Sequence, residues 1–97
     1  MPTYISLMKF TDQGIKDIKE APQRAEQLVK GLEALGGKLV GLYFTMGEYD
    51  YVGIAEAPSD EVALTFLMSM GMAGNVKTTT LKAYKLEELK AIVNKLP

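Results

Sequence analysis

The sequence predicts an α+β domain in which the elements follow the order βαββαβ, with one further helix at the end of the chain. Segments with the two-residue alternation of β-strands lie near both ends of the chain and in its centre. Segments with the three- and four-residue spacing of amphipathic helices separate them. Glycines and prolines stand at the borders between these segments, where turns and helix ends require them.

The first strand is predicted over Thr3–Phe10, where aromatic and branched residues alternate. Turn residues follow at Thr11–Gly14, and residues 15–20 are predicted to form a short helical turn. The first long helix is predicted to begin at Pro22, because proline is tolerated in the first helical turn, and to end at Gly36-Gly37.

The centre of the chain predicts a β-hairpin with strands over 39–46 and 49–56, joined by a turn at Gly47-Glu48. Ser59 is a good N-cap for the second long helix, which the glycines at 71 and 74 end. The last strand is predicted over 75–84.

A closing amphipathic helix is predicted over 87–96. This order corresponds to a ferredoxin-like fold, with a four-stranded antiparallel sheet and its helices on one face. We expect residues 1–97 to form a single domain, since the chain is too short for two cores.

Alternation along the strands assigns side chains to the two faces of the sheet. The face predicted to contact the helices carries Ile5, Leu7, Val40, Leu42, Val52, Ile54, Leu81 and Ala83. The opposite face is predicted to carry Tyr4, Ser6, Met8, Tyr43, Tyr51, Thr78, Thr80 and Lys82. This second set is too apolar for water and too polar for an ordinary core. We therefore expect a second copy to cover it, which gives a dimeric α/β barrel.

Four short segments of the chain resemble the GYD domain family. The motif that gives this family its label appears as Gly47-Glu48-Tyr49-Asp50. The other segments are Thr11–Lys16, Glu56–Pro58 and Gly74–Thr78. The resemblance covers nearly the whole chain and implies a small ferredoxin-like domain of the dimeric α/β-barrel kind, without implying a particular activity.

Two groups of residues are candidates for a site. The eight residues of the second face would line a small-molecule pocket, in which Lys82 meets an acidic group and the hydroxyls orient the ligand. The alternative is a wet dimer interface. Asp50, beside Tyr49, is a candidate base or ligand anchor. The alternative is that Gly47 sets the turn and Asp50 accepts hydrogen bonds from nearby backbone N–H groups.

Composition excludes several classes of site. The 11 basic and 12 acidic residues are interleaved, so no nucleic-acid partner and no anionic membrane is expected. Without histidine or cysteine, the chain cannot build the usual zinc sites, a His- or Cys-ligated haem, or a thiolate nucleophile. Met68 and Met72 share a helix face, but core packing accounts for them. We expect no metal and no cofactor.

The apolar runs are too short to cross a bilayer and the start lacks a secretory signal, so we expect no membrane association and a cytoplasmic protein. The first functional hypothesis is a homodimer, or a higher oligomer, that binds or senses a small organic molecule. The second is a cofactor-independent enzyme that acts on an aromatic or quinone-like substrate. Tyr49, Asp50 and Tyr51 would lie at the mouth of its site, and Lys82 would polarise an oxygen of the substrate. The third is an interaction protein.

Overall fold

The computed structural model describes residues 1–97 and confirms the predicted order of elements. Its helices and strands are β1 (Thr3–Phe10), α1 (Asp12–Lys16), a 3-10 turn (Ile18–Glu20), α2 (Ala21–Ala34), β2 (Lys38–Phe44), β3 (Tyr51–Glu56), α3 (Asp60–Ala73), β4 (Val76–Ala83) and α4 (Leu86–Val93). The first strand has the predicted bounds, and the other strands and the long helices begin and end within a few residues of theirs.

The four strands form one antiparallel sheet in the order β2-β3-β1-β4. Helices α2 and α3 lie on the same face of this sheet, where α2 packs against β2, α3 packs against β4, and the two helices contact each other. The fold is therefore the predicted α+β, ferredoxin-like arrangement.

Local sequence explains where α3 begins and ends. The Ser59 side chain accepts a hydrogen bond from the Val62 backbone N–H at 3.2 Å, which satisfies one of the free donors of the first turn. Asp60 and Glu61 occupy that turn, where the helix dipole favours negative charge. Gly74 ends the helix with φ of 81°, a left-handed conformation that glycine adopts without a steric penalty.

Three of the four strands face the opposite way from the prediction. Met8 of β1 and Tyr51 of β3 are only 4% and 5% exposed, and they form a core cluster with Met70 of α3 and Val76. Tyr4 packs against Ala57 and Ala63. The larger side chains of β1 and β3 thus contact the helices.

The pairing of β4 with β1 extends this correction to the last strand. Residues directly opposite each other on paired strands share a face. Thr78, Thr80 and Lys82 are opposite Met8, Ser6 and Tyr4, so all three lie on the helix side. Seven of the eight residues predicted to point away from the helices therefore point towards them. The physical reason is that both sets contain large apolar residues, so alternation separates the two faces without identifying which one the helices cover.

We use the name open face for the side of the sheet away from α2 and α3. By the same pairing it carries Ile5, Leu7, Val52, Ile54, Leu81 and Ala83, which were predicted to contact the helices, together with Tyr43 of β2. Leu42 contacts the helix-side core as predicted. Val40 lies at a register shift between Leu39 and Gly41 and is exposed.

Helix α4 makes almost no contact with the other helices and strands. Its apolar stripe is exposed throughout. The stripe consists of Leu86, Leu89, Ile92 and Val93, and the exposed Leu96 follows the end of the helix. The molecule is accordingly long and thin, with dimensions of 52 × 31 × 18 Å. None of its helices has both the length and the apolar character that crossing a bilayer requires.

Candidate functional site

The Gly-Glu-Tyr-Asp motif lies in the loop between β2 and β3 and fastens this loop to β1. The Asp50 carboxylate accepts a hydrogen bond from the Phe10 N–H at 2.7 Å, and the Asp50 N–H donates to the Met8 carbonyl at 2.9 Å. The Thr45 hydroxyl donates to the Tyr49 carbonyl at 2.6 Å. This geometry agrees with the backbone-bonding alternative for Asp50, because its carboxylate already has a donor within the chain.

Lys82 lies in a polar cluster at the other end of the sheet. Its Nζ is 3.1 Å from one carboxylate oxygen of Asp60, and the Tyr4 hydroxyl donates a hydrogen bond to the same carboxylate. The bonds from Tyr4 and Lys82 lower the pKa of Asp60, and the bond to Asp60 raises the pKa of Lys82. Burial, followed by the bond to Asp60, raises the pKa of Tyr4 to about 12. The ammonium of Lys82 is therefore paired with an acid of its own chain.

The three candidate catalytic residues do not meet in one site. Lys82 lies beside Tyr4 at one end of β1, whereas Asp50 is bonded to Met8 and Phe10 at the other end. A strand rises about 3.3 Å per residue, so the two groups are separated by roughly 13 Å or more along the sheet. An enzyme mechanism that uses both groups on one small substrate has no support in this geometry.

The predicted ligand-binding hydroxyls of β1 and β4 are paired with each other. The Ser6 and Thr80 hydroxyl oxygens are 2.8 Å apart, and Thr78 follows on the same face. Tyr4 and Lys82 also have hydrogen-bond partners within the chain, and Thr78 lies on the helix side of the sheet. Tyr43 is the one residue of the predicted set that lies on the open face.

A cavity of about 270 Å³ lies between α2, α3 and one end of the sheet. Most of its lining residues are apolar, and four of them are aromatic. Its main lining residues are Phe10, Arg24, Leu28, Phe44, Tyr51, Phe66, Met70 and Val76. Tyr51 is the only predicted ligand-binding residue in this lining. Ser6 and Met8 instead border an adjacent void of about 60 Å³.

Tyr51 is one of the buried residues of the cavity wall. Its ring lies between Phe10 and Phe44, with ring centroids 5.3 Å and 5.0 Å away. Burial raises the pKa of Tyr51 to about 12, with a smaller opposing effect from Arg24. The Tyr51 hydroxyl makes no hydrogen bond within the chain, and its oxygen is not completely buried. It therefore remains a protonated donor available to the cavity at neutral pH.

Arg24, which the sequence reasoning did not single out, supplies a positive charge to the same cavity. Its guanidinium donates to the backbone carbonyls of Asp17 at 2.9 Å and Gly14 at 3.2 Å, and it forms no ion pair. It is the only arginine in the chain, which is the one signal in the sequence that would have drawn attention to it. The cavity thus combines an unneutralised cation, a free hydroxyl donor and aromatic walls.

Comparisons with known proteins agree with the geometry of the fold. The family model of the GYD domain matches residues 4–93. A protein of Thermus thermophilus named glutamine synthetase and cystathionine beta-lyase binding protein is 33% identical over 90 residues, which are 92% of this chain and 95% of that protein.

A crystal structure of a protein from Thermus thermophilus has a similar fold. Its TM-score is 0.55 at 20% sequence identity, and the match covers 88% of this chain and 95% of the crystallised one. This likeness concerns the arrangement of the backbone alone. From the family match over nearly its whole length, the chain belongs to the GYD domain family.

Proposed function

We propose that this protein is a protein-interaction module that acts as a homodimer and pairs through the open face of its sheet. The observation that carries the proposal is the aliphatic character of that face, which no element of the chain covers. Leu81 is 50% exposed and Tyr43 is 63% exposed. The other aliphatic residues of the face are only partly shielded by their neighbours.

The size of the open face supports an interface. Four strands about 4.8 Å apart, with about six residues each at 3.3 Å, span an area of roughly 300 to 400 Å². Exposed apolar patches of this size or larger mark interaction sites in many proteins. An uncovered chain would therefore leave in water an apolar patch as large as those that are often functional on monomers.

Helix α4 adds to the same interaction surface. Lys85, which precedes α4, reaches across the end of β1 to pair with Glu56 at 3.0 Å. The helix therefore begins beside the open face, and its apolar stripe is bare as well. Stable interfaces bury about 800 Å² on each partner, which exceeds the area of the sheet face. We infer that a second copy contacts both the open face and α4.

The interaction role itself is also supported by the relative that is 33% identical. That protein is named for binding two enzymes, and we extend the general role of protein binding to this chain without extending the identity of the partners. A dimer would present any further binding surface twice, which raises the effective affinity for an oligomeric partner.

The mass of the protein in solution, measured by light scattering after size exclusion, tests the dimer. We expect the mass of two chains for the natural sequence and of one chain for Leu81→Lys, since the lysine places a charge in the middle of an apolar contact. Leu64→Lys is the matched control, because Leu64 is 52% exposed but lies on α3, away from the open face. A natural chain that stays monomeric at high concentration would contradict the proposal.

Small-molecule binding is a second candidate function, and the cavity between α2 and α3 is the observation that favours it. This location replaces the inter-sheet space suggested by the sequence, because Tyr51 faces the helices. A thermal-shift panel of small aromatic and aliphatic metabolites tests it. We expect stabilisation by at least one chemical class, and no shift with any class would contradict this function.

A further inference from the structure

We propose that the cavity between α2 and α3 binds a small aromatic carboxylate, with the carboxylate held by Arg24 and the Tyr51 hydroxyl. This inference rests on the small-molecule binding function proposed above and names its ligand class. It is independent of the homodimer, because the cavity lies on the helix side of the sheet and the proposed interface on the open face.

The aromatic walls of the cavity indicate which apolar group the ligand carries. Phe10, Tyr51 and Phe44 form a row of rings across the end of the sheet, and Phe66 of α3 lines the cavity with them. Aromatic rings pack favourably against one another in offset and edge-to-face arrangements. A flat aromatic ring is therefore the body that these walls would bind best.

The volume limits the size of the ligand. Pockets for drug-sized ligands measure roughly 300 to 1,000 Å³. At about 270 Å³ the cavity lies just below that range, so it accommodates a single ring with a short side chain. A nucleotide or a larger cofactor would exceed it. An inorganic anion would leave the apolar walls without contacts.

The polar groups of the cavity, Arg24 and Tyr51, favour a negatively charged ligand. Arg24 has only neutral carbonyls as partners, so its positive charge is not balanced by a carboxylate of this chain. Tyr51 keeps its proton and has no acceptor. Asp50, the nearest acid to Tyr51, already accepts the Phe10 N–H. Two donors, one of them charged, are complementary to a carboxylate, which accepts hydrogen bonds and carries the opposite charge.

An NMR titration of the ¹⁵N-labelled full chain tests this inference, with phenylacetate as the probe and 2-phenylethanol as its neutral counterpart. The two molecules share a ring and a chain length and differ in the carboxylate. We expect phenylacetate to shift the backbone resonances of Tyr51, Phe66 and Ala73, and to bind at least about tenfold more tightly than the alcohol, because charge-assisted hydrogen bonds are the stronger ones.

Substitutions at the two donors sharpen the test. We expect Tyr51→Phe, which keeps the ring, to weaken phenylacetate binding about 3- to 10-fold, and Arg24→Gln to weaken it about 10- to 100-fold. Arg24 also holds the loop at Gly14 and Asp17, so Arg24→Lys serves as a second variant that retains the charge and should lose less. Lys30→Gln, on the same helix but outside the cavity lining, should leave binding unchanged.

The outcomes separate the inference from the function on which it rests. Equal binding of phenylacetate and 2-phenylethanol, or unchanged affinity in both Tyr51→Phe and Arg24→Gln, would overturn the carboxylate class while leaving a ligand cavity. No resonance shift with either molecule would overturn the aromatic ligand class, and a ligand found elsewhere in the thermal-shift panel would leave the binding function standing. Binding of phenylacetate to Leu81→Lys with unchanged affinity would support the independence of the two surfaces.

Discussion

The two sides of the sheet differ in the polar side chains that accompany their apolar residues. The helix side carries tyrosine, serine, threonine and lysine beside its core residues Met8, Phe10 and Val76, whereas the open face is mainly aliphatic. On the helix side, Tyr4 and Lys82 bond to Asp60, and Ser6 bonds to Thr80. The polar groups therefore have specific partners within one chain.

The middle of the open face is aliphatic, and its polar residues, among them Thr3 and Glu56 at one end and Lys9 and Lys77 at the other, lie towards its margins. Aliphatic side chains have no donors or acceptors to match, so a surface of them can pack against a copy of itself without a hydrogen-bond penalty. This contrast supports the proposed pairing of two copies through the open face.

The largest expected difference concerns packing. Met70→Ala removes a side chain that contacts Met8 and Tyr51, and we expect it to lower the free energy of unfolding by about 2 to 4 kcal/mol. Leu81→Ala on the open face should cost less than about 1 kcal/mol in the monomer, because Leu81 is already half exposed. Urea unfolding at low protein concentration measures both values. Similar losses for the two variants would mean that the faces are equally packed.

A second difference concerns the ionisation of tyrosine. Tyr4 and Tyr51 on the helix side have pKa values raised to about 12, mainly by burial. Since the unfolded chain releases these protons near pH 10, their contribution to stability is complete below pH 10 and is lost as the pH rises towards 12. Absorbance at alkaline pH should show two late-ionising tyrosines, and each of Tyr4→Phe and Tyr51→Phe should remove one. Ionisation of both near pH 10 in the folded protein would contradict this assignment.

The smallest expected difference concerns one hydroxyl group. Tyr4→Phe leaves the ring in place but removes the hydrogen bond to Asp60, and we expect a loss of about 1 to 2 kcal/mol. Tyr43→Phe on the open face is the control at a protein concentration low enough to keep the chain monomeric, since its exposed hydroxyl makes no hydrogen bond within the chain, and its effect should be close to zero. Thermal unfolding of the two variants measures the contrast. An equal effect of both substitutions would show that the bond to Asp60 contributes nothing.

Helix boundaries illustrate what can be predicted from local sequence. Ser59 caps α3 and Gly74 ends it because these signals act over a few residues and do not depend on the rest of the fold. The same holds for the hairpin turn around Gly47 and for the bounds of β1. The family motif is similarly local, and its Asp50 bonds the neighbouring strand through backbone groups.

The candidate site was only partly predictable. Tyr51 was expected to line a pocket, and it does line a cavity, but on the opposite side of the sheet from the one predicted. Arg24 was not predicted, because its relation to Tyr51 depends on how α2 packs over the sheet, which no local pattern encodes. The pairing of Tyr4 with Asp60 joins residues 56 positions apart, so it too becomes visible only after folding.

The sequence by itself determined the order of strands and helices, their approximate bounds and the absence of histidine and cysteine chemistry, because periodicity, capping residues and composition are properties of the chain. Tertiary structure decided which side of the sheet the helices cover. Both sides contain enough apolar surface to form a core, and alternation fixes only that they differ. The choice came with long side chains of β1 and β3 that reach α3, and with the Tyr4 hydroxyl and the Lys82 ammonium, which meet Asp60 at the start of that helix.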